Sequence, residues 1–145
     1  MEIVEREAAV VVGLVVEAGF ADLATLVPRA WREVFTLPGL PRPGGGRWAE
    51  ASRYLGDGRY REVVGVPGPP GRLAPPPGAT SVQVPAGRYL HHVHTGPVAA
   101  IGEGFGAMHE RARRLGLAVG DVKLDVGYTR DGRDGAHDLF VDLPG

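Results

Sequence analysis

The sequence predicts an α+β fold of two matched strand–helix–strand–strand units, with antiparallel sheets, helices on one side and a ligand cleft between the halves. Three observations predict it. Strand patterns at residues 8–16 and 82–94 are each followed by an apolar stripe at helical spacing. Each stripe leads into two further strand patterns with Asp-Gly turn signals between them. Residues 67–79, dense in proline and glycine and without an apolar period, separate the two sets as a linker. The chain therefore reads as one domain, with repeat one at about 1–66 and repeat two at about 80–145.

The first strand rests on the valine-rich run from Ala8 to Val16. It is too short to span a bilayer, which takes about 20 apolar residues. Phe20 to Leu37 follows as a helix, with Asp22 as its N-cap. Leu23, Leu26, Val27, Ala30, Val34 and Leu37 supply its apolar stripe, and Pro28 is expected in an early turn. Pro38-Gly39 stops it. Ala51–Leu55 and Tyr60–Val66 form a hairpin turned at Gly56-Asp57-Gly58.

In the second unit Val82 to His94 reads as one strand, bent near Pro85 and Gly87. Pro97 opens a helix whose stripe is Val98, Ile101, Phe105, Met108, Ala112 and Leu115, with Gly116 as the C-cap. Asp121–Tyr128 and His137–Leu143 make the closing hairpin, turned at Asp131-Gly132 or Asp134-Gly135. Leu23, Val27 and Ala30 fall at the same relative places as Ile101, Phe105 and Met108. Two such units leave an interface at which pockets commonly form.

Composition narrows the function. At 145 residues, 43% apolar and 23% charged, the chain suits an ordinary globular domain. A formal net charge of −1 argues against non-specific nucleic-acid or anionic-membrane binding. The absence of cysteine removes disulfides, thiol catalysis and Cys-ligated zinc, and fits a cytoplasmic setting. The acidic start, Glu2, Glu5 and Glu7, is unlike a signal peptide.

The most informative segment is Val84-Pro85-Ala86-Gly87-Arg88-Tyr89, followed by His94-Thr95-Gly96-Pro97. Pro85, Ala86, Gly87 and Tyr89, then His94, Gly96 and Pro97, resemble the signature of the GyrI-like effector-binding domains. These serve as ligand-binding modules of AraC- and MerR-type regulators and as stand-alone gyrase-inhibitor-like proteins. Trp31 resembles the tryptophan often found in that family's first helix, and Val63-Val64-Gly65-Val66 its third strand. The resemblance implies a cleft that holds hydrophobic or cationic small molecules among aromatics, with an acidic residue at its floor. The family's acid is usually a glutamate two residues before a tyrosine. Here the match is Asp125-Val126-Gly127-Tyr128: the acid is shorter, and the tyrosine falls on the opposite face of the strand unless Gly127 makes a bulge.

The resemblance implies as ligand-binding residues Trp31, Tyr54, Tyr89, His92, Asp125 and Tyr128, with no cofactor. It also implies two alternatives: a hydrolase of strained, cyclopropane-type electrophiles in which Asp125 and Tyr128 position water, and a protein-interaction module of the gyrase-inhibitor type. A separate protein partner or regulator would then read out the ligand. No helix-turn-helix region precedes the domain, so a chain of this length is not expected to be a one-piece transcription factor.

The remaining candidates have ordinary structural explanations. His91, His92 and His94 lack a convergent third ligand for a metal. Gly102-Glu103-Gly104-Phe105-Gly106 lies inside a helical stripe instead of between a strand and a helix start, so it is read as close helix packing rather than a phosphate loop. Arg111, Arg113 and Arg114 suit a helix C-terminus. No Gly-x-Ser-x-Gly elbow is present.

Overall fold

The computed structural model describes all 145 residues. Eight strands and two helices succeed one another as β1 (Glu2–Arg6), β2 (Ala9–Gly19), α1 (Phe20–Val34), β3 (Trp48–Gly56), β4 (Arg59–Gly68), β5 (Thr80–Val84), β6 (Gly87–His94), α2 (Ile101–Arg114), β7 (Val122–Tyr128) and β8 (His137–Asp142). The strands form one antiparallel sheet in the order β1-β6-β8-β7-β3-β4-β2-β5. The fold is α+β, as the sequence predicts.

Both helices cover the same face. Directly paired residues share a face, and one row runs Val64–Glu50–Asp125–Leu139 across β4, β3, β7 and β8. Val64 packs with Leu23, Ala30 and Val34 of α1. Leu139 packs with Ile101, Met108 and Ala112 of α2. The helices thus sit over the two ends of this row, with β3 and β7 between them.

The other face is buried without helices. β1 and β6 form one edge of the sheet and β2 and β5 the other. Only Glu7-Ala8 joins β1 to β2, and only Pro85-Ala86 joins β5 to β6. Two residues bridge only about 10 Å between strand ends, so the sheet must curl until its edges approach. Val11, Val82 and Val84 from one edge then meet Tyr89 from the other, over a core of Ala49, Ala51, Val63, Val122 and Leu124. Gly13 opposite Gly65 permits tight coiling: a Cβ on Gly65 would lie 2.0 Å from the Val12 carbonyl oxygen.

Several local expectations are corrected. β1 reads as a charged terminus in sequence; its pairing with β6 makes it a strand. The stretch from Val82 to His94 is two strands, because Pro85-Ala86 carries the chain from one sheet edge to the other. Helix α1 ends at Val34, and Gly19, not Asp22, is its N-cap, without a side-chain bond. Pro28 is the ninth residue of α1, well inside it. Having no N–H, it leaves the Ala24 carbonyl without its helical donor. Helix α2 starts at Ile101, after a 3-10 turn at Val98–Ala100, and Gly116 follows its C-cap Leu115. Close packing explains only Gly104, whose Cβ would meet Leu139 at 3.1 Å; Gly102 and Gly106 face open space.

Candidate functional site

The covered face holds polar side chains where β3 and β7 run between the helices. Glu50 and Asp125 are directly paired. One step along, Ser52 pairs with both Glu62 and Lys123. Two rows of the same face therefore bring three carboxylates and the chain's only lysine together. Rows two residues apart on a strand are separated by about 7 Å.

A cleft of about 420 Å³ opens above these rows. Its apolar wall comes from α1, through Phe20, Leu23, Val27 and Trp31, with Ala24 and Pro28 beside them. Tyr128 and Val98 line the opposite side, and Glu50 and Glu62 the floor. The pattern of α1 accounts for the wall: Leu23, Ala30 and Val34 are buried against the sheet, while Trp31 and Val27 flank that stripe.

Gly127 places the tyrosine. The register shifts between Trp48 and Ala49, whose partners are Tyr128 and Val126, so Gly127 bulges out of the ladder. Its φ of 148° suits glycine, and a Cβ there would come within 2.9 Å of three atoms of Ala136 and His137. The bulge returns Tyr128 to the face of Asp125. Its ring lies 4.5 Å from that of Trp31 and 4.7 Å edge-on from that of His137. Trp31 Nε1 in turn donates to Glu50 Oε1 at 3.2 Å.

The electrostatics are those of crowded acids with little water. Burial, reinforced by the charges of Glu62 and Asp125, pushes the Glu50 carboxyl up to about 8, and the Trp31 N–H bond opposes this. Burial also raises Glu62, against the hydrogen bond from Ser52 and the charge of Lys123. Lys123 is lowered by burial, and its ammonium lies 5.6 Å from the Phe105 ring centroid. Burial, then Glu50 and Asp125, push the Tyr128 phenol far above its ordinary range. At neutral pH the cleft therefore presents a neutral phenol and at least one protonated carboxyl.

Asp125 lies below this floor. It is 1% exposed, and its Oδ1 is 2.7 Å from Nδ1 of fully buried His137. The contact ties the two side chains together from adjacent strands, β7 and β8. Asp125 Oδ2 and His137 Nε2 have no hydrogen-bond partner.

The six residues singled out from sequence are dispersed in part. Trp31, Tyr128 and Asp125 come together. Tyr54 is on the rim of the β3–β4 turn, its ring 5.1 Å from Tyr60 and its hydroxyl accepting from the Gly58 N–H. Tyr60 leads on to exposed Phe20, 6.2 Å away. Tyr89 is buried on the opposite face, where its hydroxyl donates to the Pro85 carbonyl at 2.6 Å. His92 lies towards the β1 edge, beside Met1 and Glu2. The other histidines are engaged separately: His91 with Asp138, His94 with the Pro97 carbonyl and His109 with the Phe105 carbonyl. Glu50 and Glu62 are the residues sequence reasoning missed. Their signal was phase, since Glu50 lies two residues from Trp48 and Glu62 two from Val64, on the strand faces that α1 covers.

The sequence matches no protein-family model and no curated protein. Solved structures share the fold. A Staphylococcus aureus MU50 protein provisionally assigned to bacterial transcription regulation superposes with a TM-score of 0.74 at 11% identity, covering 99% of this chain and 97% of that one. The SAV2435 protein, solved bound to tetraphenylphosphonium, gives 0.71 at 12% identity over 99% and 93%. An integron cassette protein from Vibrio cholerae gives 0.69 at 13% over 99% and 95%. The likeness extends over nearly the whole of each chain and is one of fold.

Proposed function

We propose that this chain is a binding module for hydrophobic, cationic small molecules, held in the cleft between α1 and the turn that leads into α2. The observation that carries this reading is the pairing of an apolar, aromatic wall with two carboxylates on the floor of an open cleft. Leu23, Val27, Trp31 and Tyr128 supply the surface for an apolar body, and Glu50 the counter-charge. Carboxylates crowded in this way ionise only at a cost, which a ligand cation offsets. Trp31 and Tyr128 add cation–π attraction of about 0.5–2 kcal/mol. The volume of about 420 Å³ falls in the range of small-molecule sites. The fold is shared with a protein that binds tetraphenylphosphonium, a cation of this class.

In this reading Glu50 is the residue that meets the ligand's charge, and Asp125, one strand across the sheet, sets the local potential and holds His137 in place. The test is calorimetric titration of tetraphenylphosphonium into the chain and into Glu50→Gln and Asp125→Ala. Binding that weakens more in Glu50→Gln than in Asp125→Ala is the expected result. Absence of saturable binding, or equal affinity in all three proteins, overturns the proposal.

A further inference from the structure

A second cavity, of about 520 Å³, opens at one end of the enclosed face, on the opposite side of the sheet from the carboxylate cleft. Its apolar lining comes from Ala8 and Ala9 where β1 passes into β2, from Pro67 and Pro69 at the end of β4, and from Val126 and Phe140. Its charged groups are Arg6, Arg47, Asp138 and, on the exposed rim, Glu7.

The two arginines differ. Arg47 is engaged through Nη2, which lies 2.9 Å from Asp138 Oδ2 and donates to the carbonyls of Val126 and Ala136. Asp138 is shared with His91, 2.8 Å from its Oδ1. Arg6 has neither an ion pair nor a hydrogen bond. Its guanidinium lies 4.1 Å over the centroid of the Phe140 ring, and its Nε is buried without a partner. A partly buried arginine commonly places its planar fork of donors against a carboxylate or phosphate. Here the ring face holds the plane, Nε is buried without a partner, and neither terminal nitrogen bonds another group of the protein.

We propose that this cavity is a second binding site, for a small carboxylate with an apolar body, in which the N–H edge of Arg6 meets the carboxylate. Arg47 contributes a fixed positive charge, already compensated by Asp138. Ala9, Pro67, Val126 and Phe140 take the apolar body. The apolar lining and the single free guanidinium favour such a ligand over a bare inorganic anion, which would leave most of the cavity wall uncovered. The site shares no side chain with the carboxylate cleft, so it stands or falls independently of the function proposed there.

Benzoate, titrated into the chain and followed by residue-resolved NMR, is the test, with benzyl alcohol as uncharged counterpart and inorganic phosphate as small anion. Saturable shifts at Phe140, Val126 and Ala9 are expected, with benzyl alcohol weaker by about tenfold or more. Arg6→Met, which keeps an apolar stem on Phe140, is expected to lose about tenfold or more in benzoate affinity. Ala8→Trp leaves Arg6 intact and fills the cavity, so it loses binding even if Arg6→Met fails to fold. Glu50→Gln binds benzoate as the parent does. No saturable shift, shifts confined to Trp31 and Tyr128, benzoate affinity unchanged in Ala8→Trp, or phosphate binding as tightly as benzoate would each overturn the assignment.

Discussion

If the Glu50 carboxylate meets the ligand's charge, cation binding must depend on pH in a way that follows from its surroundings. Glu62, Asp125 and Tyr128 face it, and Trp31 donates to it. With the carboxyl pushed up to about 8, roughly one molecule in ten is ionised at pH 7, and ionising the rest costs about 1.4 kcal/mol. A permanent cation such as tetraphenylphosphonium must displace that proton. Its affinity is therefore expected to rise about tenfold per pH unit below pH 8 and to level off above, a change of roughly a hundredfold between pH 6 and pH 9. Glu50→Gln removes both the slope and the pairing. At pH 9 the loss is expected to be about 2 kcal/mol, or roughly thirtyfold, after desolvation offsets part of the attraction. Calorimetry at constant ionic strength measures both, since the ligand itself does not titrate. A flat profile in the parent chain refutes the reasoning, and so does an equal slope in Glu50→Gln, which would move the titration to Glu62.

Three further outcomes follow from the same geometry. Because Glu50 holds its proton more tightly folded than at its ordinary value of 4.5, its contribution to stability is complete below about pH 4.5 and is lost as pH rises through about 8. Urea unfolding should show this fall, with an upper limit of about 5 kcal/mol reduced by the solvent that reaches Glu50, and Glu50→Gln should flatten it. Gly127→Ala puts a Cβ 2.7 Å from the Ala136 carbonyl oxygen. It should cost about 2–3 kcal/mol in unfolding and disturb the Trp31–Tyr128 pair, read in near-ultraviolet circular dichroism. His137→Ala strands the buried Asp125 carboxylate and should cost about 3–5 kcal/mol, whereas the double variant with Asp125→Ala should lose less than the sum of the two single changes.

Sequence patterns carried the elements whose information is local. The valine run of β2, the stripes of α1 and α2, and the Gly56-Asp57-Gly58 turn, with φ of 90°, 52° and 73°, were all legible. The site was legible in part. Trp31 showed on the flank of a helix, and Asp125 and Tyr128 showed as polar breaks near a glycine in a strand. Glu50 was not, because Ala49-Glu50-Ala51-Ser52 has the alternation of a solvent-facing hairpin. Tyr89 and Tyr54 resemble Tyr128 in sequence, and the sheet sends them elsewhere.

The sequence by itself determined the α+β class, the order of most elements and the glycine on which the position of Tyr128 turns. All of these depend on periodicity, turn chemistry and backbone sterics within a few residues. Only the tertiary structure decided that β3 pairs with β7, which sets Glu50 beside Asp125. It alone brought His137 to Asp125 and curled the sheet until Arg6 lay over Phe140. Register between strands some 70 residues apart is fixed by which faces can be buried together, a property of the whole chain that no local window contains.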